Sequence, residues 1–366
     1  MTMTPALKRI RSLARELAAD FRTRTAGHDR NRTAPAENFR LLAEAGLTGL
    51  ALPADLGGAG LGFEGWLAAA EELGQGCPVT AYAMAAHVAA TGLLFSQFDP
   101  PRRIADLVLR DGVLITMAVP EPGSPELTVR RVPGGFRLYG RIPSVPLWET
   151  ASLALVQART EEGGSPIALV VPTAGEGIGA QDLWNSLGLR GLRNQAVTFE
   201  GAYAAADSVL GSLPVLPPVW AMGPATAACL GIGLGILNQT RLVLSARQGA
   251  ASADAERRLA LMACELEAAR LSLWQGARLH SEGASPQSVA RQFLIARYLT
   301  CSAVAGSTRN CVVACGPRSL LEDLGLEQLI RDALTAAGQS PDEDQCLRQI
   351  ASVELGGLYR PGAAHV

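Results

Sequence analysis

Apolar positions recur every three to four residues along 6–22 and 36–46, predicting two amphipathic helices, the second ending at Gly46. The following LTGLALPADLGGAGLGFEGW is broken by Pro53 and by four glycines between 57 and 62, and reads as a loop. Helical spacing resumes over 63–74, 78–95 and 101–109, with Pro78 and Thr80 near the start of the middle one. The period then shortens. VLITMAVP at 113–120 begins a strand-rich section, VRRVPGGFRLYGRI reads as a hairpin around Pro133-Gly134-Gly135, and SLALVQAR and PIALVVP are short buried strands. Gly188–Gly211 closes this section. There a glycine-punctuated turn carrying Arg190, Arg193 and Asn194 leads into Ala196-Val197-Thr198-Phe199-Glu200, the alternation of a half-buried strand.

After that stretch the pattern is helical only. LPVLPPVW is a Pro-rich connection, and 222–247 is a long helix dense in Ala, Gly and Leu. Leu259, Met262, Ala263, Leu266 and Leu273 mark a second amphipathic helix, and SEGASP separates it from a third over 286–314. Cys315-Gly316-Pro317-Arg318 stops that helix, and a last helical section runs to about 355. The expected fold is mainly α with a central β domain. It comprises an N-terminal helical domain at 1–112, a β barrel or sandwich at 113–213, and a C-terminal four-helix bundle at 214–366.

Composition narrows the function classes. Hydrophobic residues make up 48% of the 366 and charged ones 18%, which excludes a disordered chain. The net charge of -2 gives no electrostatic footprint for nucleic acid or an anionic membrane. No apolar run reaches the roughly 18 residues of a membrane span by this reading, and the N-terminus reads as a charged amphipathic helix instead of a signal peptide. The seven cysteines form no CxxC pair and the four histidines no ligand pair, so free thiols in the cytoplasm and no metal are expected. Lys8 is the single lysine, which leaves almost no candidate for Schiff-base chemistry.

Four stretches resemble the acyl-CoA dehydrogenase family, across nearly the whole chain: GLTGLALPADLGGAGLGFEGW, MAVPEPGS, Gly188–Gly211 and LIRDA at 329–333. Gly188–Gly211 is the most specific, since it follows that family's wording at the exit from the β domain. The resemblance implies a three-domain fold with FAD held between β domain and bundle. It also implies an acyl thioester, on coenzyme A or a carrier protein, lying against the flavin. Homodimers or homotetramers, or a heteromer with a homologue, would complete each cofactor site. The implied chemistry oxidises a CH–CH bond. A carboxylate removes the α-proton, the flavin takes hydride from the β-carbon, and donors polarise the carbonyl.

Position by position, this chain departs from that pattern. The family's catalytic glutamate falls at Ser340, or in some members at Ala221, and neither is an acid. The family's flavin-contacting positions are Val119, Pro120 and Ser124 at one strand end and Ser144 and Pro146 at another. At the cofactor's phosphate end they are Arg247, Gly316 and Arg318. Proline at 120 and 146 supplies neither hydroxyl nor N–H; Trp148 stands near enough in sequence to fill the space of a lost ring, but a core tryptophan is the plainer reading. Repurposed or flavin-free chemistry on an acyl thioester is therefore expected over ordinary desaturation by the lone chain. Its polar candidates are Glu121, His87, Arg190, Asn194 and Gln195, with Asp342 as a displaced base. Two alternatives stand beside it. One is a non-catalytic or cofactor-completing subunit of a heteromeric acyl-CoA dehydrogenase, whose wording GRIPSVPLWETASLALV resembles. The other is an FAD-dependent dehydrogenase or monooxygenase with a displaced base, which the ending Pro341–Asp344 resembles.

Overall fold

A computed structural model describes residues 3–120, 126–163, 165–212, 216–246 and 251–357. Five helices come first: α1 (Pro5–Asn31), α2 (Ala36–Glu44), α3 (Gly62–Gly76), α4 (Pro78–Gln97) and α5 (Arg102–Arg110). Thr4 caps α1 by accepting from Leu7 N. This helix runs nine residues past the predicted end because polar partners, not an apolar stripe, hold its last turns. Arg24 Nε donates to Asn38 Oδ1 at 2.7 Å, and His28 Nε2 lies 2.8 Å from Glu37 Oε1. Pro78 opens α4 at its first turn, and residues on nearly every face of α4 are buried.

The strands follow: β1 (Ile115–Ala118), β2 (Thr128–Val132), β3 (Gly135–Val145), β4 (Leu153–Thr160), β5 (Ile167–Pro172), β6 (Ile178–Asp182), β7 (Gln195–Ala205) and β8 (Val209–Ser212). They form one sheet in the order β6-β7-β3-β2-β4-β5-β8, with β1 parallel to β4. Among the described residues, the strand pairing that joins its two halves is β2 parallel to β4, over Thr128–Arg159 and Val129–Thr160. Leu138, Val156, Leu169, Val197 and Phe199 fill the β core. Trp148 belongs to that core, as the plainer reading of it expected, 3% exposed and edge-on to Phe199.

The remaining helices are α6 (Pro218–Ala221), α7 (Gly223–Ser245), α8 (Ala253–Ser281), α9 (Pro286–Cys315), α10 (Leu326–Ala337) and α11 (Glu343–Glu354). The last predicted helical section is thus two helices, divided at a cis Ser340–Pro341 bond. The expectation that no apolar run has membrane-spanning length also needs correction. α4, at 20 residues, and α7, at 23, are long and apolar enough, but both are largely buried inside the protein as core helices.

The turn at 188–193 docks all three parts together. A Cβ at Gly188 would lie 2.2 Å from Arg331 C and O, so only glycine lets the turn rest on α10. Leu189, in the left-handed region at φ 50°, donates its N–H to Asp332 Oδ1 at 2.5 Å. Gly188 N donates to Thr335 Oγ1, and the Arg331 guanidinium grips both carboxylate oxygens of Asp29 on α1.

Candidate functional site

Two strand ends of the β domain come together at the residues expected to face a flavin. Thr116 on β1 donates its hydroxyl to the carbonyl of Pro146, just past β3, at 2.6 Å. Val119 and Pro120 continue from β1 and are half-buried, as is Pro146. Ser144 is exposed, and its Oγ accepts from Asn194 Nδ2 at 3.0 Å. Asn194 is itself buried, and its Oδ1 has no donor. A buried acceptor without a partner calls for a ligand donor or a water. The neighbouring Gln195 is used by its backbone, which pairs with Val145 on one side and Asp182 on the other. Two non-glycine residues at positive φ adjoin this junction in sequence, Leu147 after Pro146 and Arg193 before Asn194.

Gly316 and Arg318 lie elsewhere, at the turn after α9. Arg318 and the end of α7 border a groove of ≈ 390 Å³ lined by Gln239, Leu242, Val243, Ala246, Cys315, Arg318 and Leu324. Gly316 has φ 75°, and open space surrounds its Cα. Arg318 is already bonded to Asp323 Oδ2 at 2.5 Å, so its charge is matched before any phosphate arrives. Glu121, Ser124 and Arg247 lie outside the described residues.

The candidate acids and bases have other occupations. Ser340 is exposed, and its hydroxyl donates to Gln345 Oε1 at 3.1 Å. Asp342 Oδ1 accepts from Gln345 N while Gln345 Oε1 accepts from Asp342 N, a reciprocal cap on α11 that accounts for this carboxylate locally. Ala221 ends α6 and carries no polar group. His87 is fully buried. Its Nε2 stands 3.0 Å from Thr48 O and its Nδ1 accepts from Ile115 N at 2.9 Å, so both ring nitrogens serve backbone. Burial lowers its pKa to about 4, and the ring stays neutral while it ties α4 to β1. Arg190 Nε donates to Leu187 O, and its Nη1 sits 4.0 Å from Asp29 Oδ2, within the docking turn.

Two buried ionisable groups carried no expectation of their own. Asp332 lies inside LIRDA, with no solvent exposure, and burial raises its carboxyl to about 7. Arg297 on α9 is 1% exposed and donates to the carbonyls of Pro341 (3.0 Å), Gln339 (2.7 Å) and Ala336 (3.3 Å), beneath the turn that bears Ser340. A lone arginine within the apolar run QFLIARYLTCSAVAG was the available signal.

Comparison with known proteins matches residues 4–98 to the acyl-CoA dehydrogenase N-terminal domain and 226–338 to its C-terminal domain. The chain is 27% identical over 259 residues to the amino sugar nitrososynthase DnmZ of Streptomyces peucetius, covering 66% of this chain and 63% of that enzyme. It is 25% identical over 336 residues to the human mitochondrial short-chain specific acyl-CoA dehydrogenase, covering 83% of this chain and 79% of that one. Among solved structures, the FMN-bound dibenzothiophene monooxygenase TdsC of Paenibacillus sp. A11-2 superposes with a TM-score of 0.88 at 20% identity. That match covers 97% of this chain and 99% of the other.

Proposed function

Because the chain belongs to the acyl-CoA dehydrogenase family yet has no acid at either position of its base, we propose that it is a flavin-using oxygenase-type enzyme, not a desaturase. One observation carries this reading: Ser340 and Ala221 supply no proton acceptor, and Asp342 is engaged as a helix cap. A positioned base contributes on the order of 10²–10⁴-fold, and α-proton removal from a thioester depends on it. The relatives' names support the alternative chemistry, since they include a nitrososynthase and an FMN-bound monooxygenase.

The residues fit a flavin at its ring end. Asn194 Oδ1 offers an acceptor to a ring N–H, and Ser144 Oγ stands beside it. At the phosphate end of a dinucleotide, Arg318 is neutralised by Asp323 and Pro317 has no N–H, which favours flavin mononucleotide over the FAD first expected. A bound reduced flavin supplies activation of dioxygen. The chain's own part is to orient the ring through Asn194 and Ser144 and to keep the neutral His87 tie between α4 and β1 in place.

Flavin titration tests this directly. FMN should bind more tightly than FAD, and Asn194→Ala should weaken FMN by roughly tenfold, the worth of about one hydrogen bond. Oxygen consumption with reduced FMN should then respond to amine or sulfur substrates and not to acyl-CoA thioesters. A protein that binds neither flavin overturns the reading and favours the partner-subunit role. Exposed Leu242, Leu320 and Leu321 beside the groove support association with a second copy, which light scattering would measure.

A further inference from the structure

We propose that the outer face of β6, β7 and β3 carries a binding site for a small zwitterion of the α-amino-acid class, with its carboxylate on Arg141 and its ammonium on Glu200. This site is independent of the flavin reading, and neither fails with the other.

Strand alternation puts the groups on one face. Val197 and Phe199 of β7 point into the β core, so Ala196, Thr198 and Glu200 point to the opposite side. The antiparallel register sets Arg141 of β3 beside Thr198, and Tyr139 beside Glu200. On the other flank, Gly179 of β6 lies beside Thr198 and Gln181 beside Ala196. Arg141, Gly179, Gln181, Ala196, Thr198 and Glu200 border a hollow of ≈ 470 Å³, within the roughly 300–1,000 Å³ of small-molecule sites. Gly179 helps to make the room. A Cβ there would meet nothing nearer than Thr198 Cβ at 3.9 Å, and the residue has no positive φ. Neither packing nor backbone conformation requires glycine at 179, and a longer side chain on this face would occupy the hollow.

The charges around the hollow are unspent. Elsewhere on the same face the arginines are occupied. Arg130 bonds Glu161 and stands over the Tyr139 ring, while Arg137 donates to Gly201 O at 2.7 Å and stands over Tyr203. Among the described residues, the Arg141 guanidinium and the Glu200 carboxylate have no ion pair and no hydrogen bond, with each other or with any other group. Yet they are diagonal neighbours across β3 and β7, a separation of roughly 7–8 Å that long side chains can span. A free cation and a free anion thus border one hollow.

That pairing selects the ligand. Two charge-assisted hydrogen bonds of about 2.8 Å take up part of the gap, and an ammonium and a carboxylate carried on one carbon fill the rest. A lone anion would meet Arg141 but also face the Glu200 carboxylate, and a lone amine would meet the reverse, so each half of the ligand is disfavoured. Thr198 and Gln181 offer a hydroxyl and an amide between the charges. Gly179 and the 2%-exposed Ala196 leave space for an aliphatic side chain.

The test titrates the full-length protein with glycine, L-alanine, L-valine and L-leucine by calorimetry. Isovalerate and isobutylamine serve as the two halves of L-valine, and hydrogen exchange locates the site. At least one of the amino acids should bind, and each half of L-valine should bind at least about tenfold more weakly than L-valine itself, the worth of one hydrogen bond to a charged group. Exchange should slow at 177–181 and 196–200 in the complex. Arg141→Gln and Glu200→Gln change exposed side chains and should each weaken the amino acid by about tenfold. Gly179→Val fills the hollow with a residue suited to a strand, and should abolish binding while leaving flavin affinity unchanged. Absence of binding by all four amino acids, isovalerate binding as tightly as L-valine, or exchange slowed only away from β6 and β7 overturns the proposal, and none of these depends on a variant folding.

Discussion

Replacing Asp332 by asparagine removes one ionisation while keeping an acceptor for Leu189 N–H. Burial raises this carboxyl from 3.8 to about 7. Between those values the unfolded chain holds it ionised and the folded protein holds it protonated. The folded state thus carries the extra proton, and stability falls as pH rises through that window. At about 1.4 kcal/mol per unit the full loss is about 4 kcal/mol. His87 acts in the opposite sense. Burial lowers it from 6.5 to about 4, so the unfolded chain carries the extra proton in that interval. The stability contributed by neutral His87 is complete above its unfolded value and declines as pH falls toward the folded one, by about 3 kcal/mol in all. From pH ~5 to ~6.5 the two slopes cancel in the parent protein. Asp332→Asn leaves only the histidine slope. Its stability from urea denaturation should rise by about 2 kcal/mol from pH ~5 to ~6.5. Its advantage over the parent should widen by about 3 kcal/mol between pH ~5 and ~8. A variant whose gap to the parent does not change with pH would refute this assignment of the buried proton.

Three further outcomes follow from the geometry. Gly188→Ala pushes a methyl into the Arg331 backbone and should lower stability by about 1–3 kcal/mol, with faster hydrogen exchange at 188–193 and 329–335. Glu71 is a buried carboxylate whose Oε1 accepts from Arg270 Nε and Trp274 Nε1. Its Oε2 stands 3.0 Å from Arg11 Nη2, near enough for charge pairing but off the hydrogen-bond direction. Glu71→Ala leaves Arg11 and Arg270 facing an empty site and should cost about 3–5 kcal/mol in urea denaturation, with Glu71→Gln losing less. Asp342→Ala should cost about 1 kcal/mol, the worth of a helix cap, and leave flavin affinity unchanged. A large loss of turnover without loss of stability would instead make Asp342 a base.

Much of the fold was legible because its signals are local. Pro78 and Pro286 open α4 and α9, and the two glycines after Pro133 turn the β2–β3 hairpin. β6 was not, because IGAQD is mostly exposed and shows no alternation; backbone pairing to β7 makes it a strand. The second half of α1 was hidden for a related reason, since its anchors are polar residues on other elements. At the site, the missing carboxylates could be read from two positions. That His87 is a core histidine could be read from its small apolar neighbours, but its partners and the role of Arg297 could not, because each is defined by carbonyls or amides about 30 to 40 residues away, and only the folded chain brings those groups to it.

The bidentate bond between Arg331 and Asp29 joins residues 302 positions apart. On a ribosome adding about 5–20 residues per second, α1 emerges roughly 15–60 s before its anchor does. Through that interval the Asp29 carboxylate and the faces that await α10 remain a half-built surface, and closing so long a loop must precede any reward from the contact. A nascent chain stopped before residue 331 would therefore hold its first helix without the clasp that fixes it, and a trigger of native structure should be timed to the emergence of LIRDA, not to the completion of the N-terminal helices.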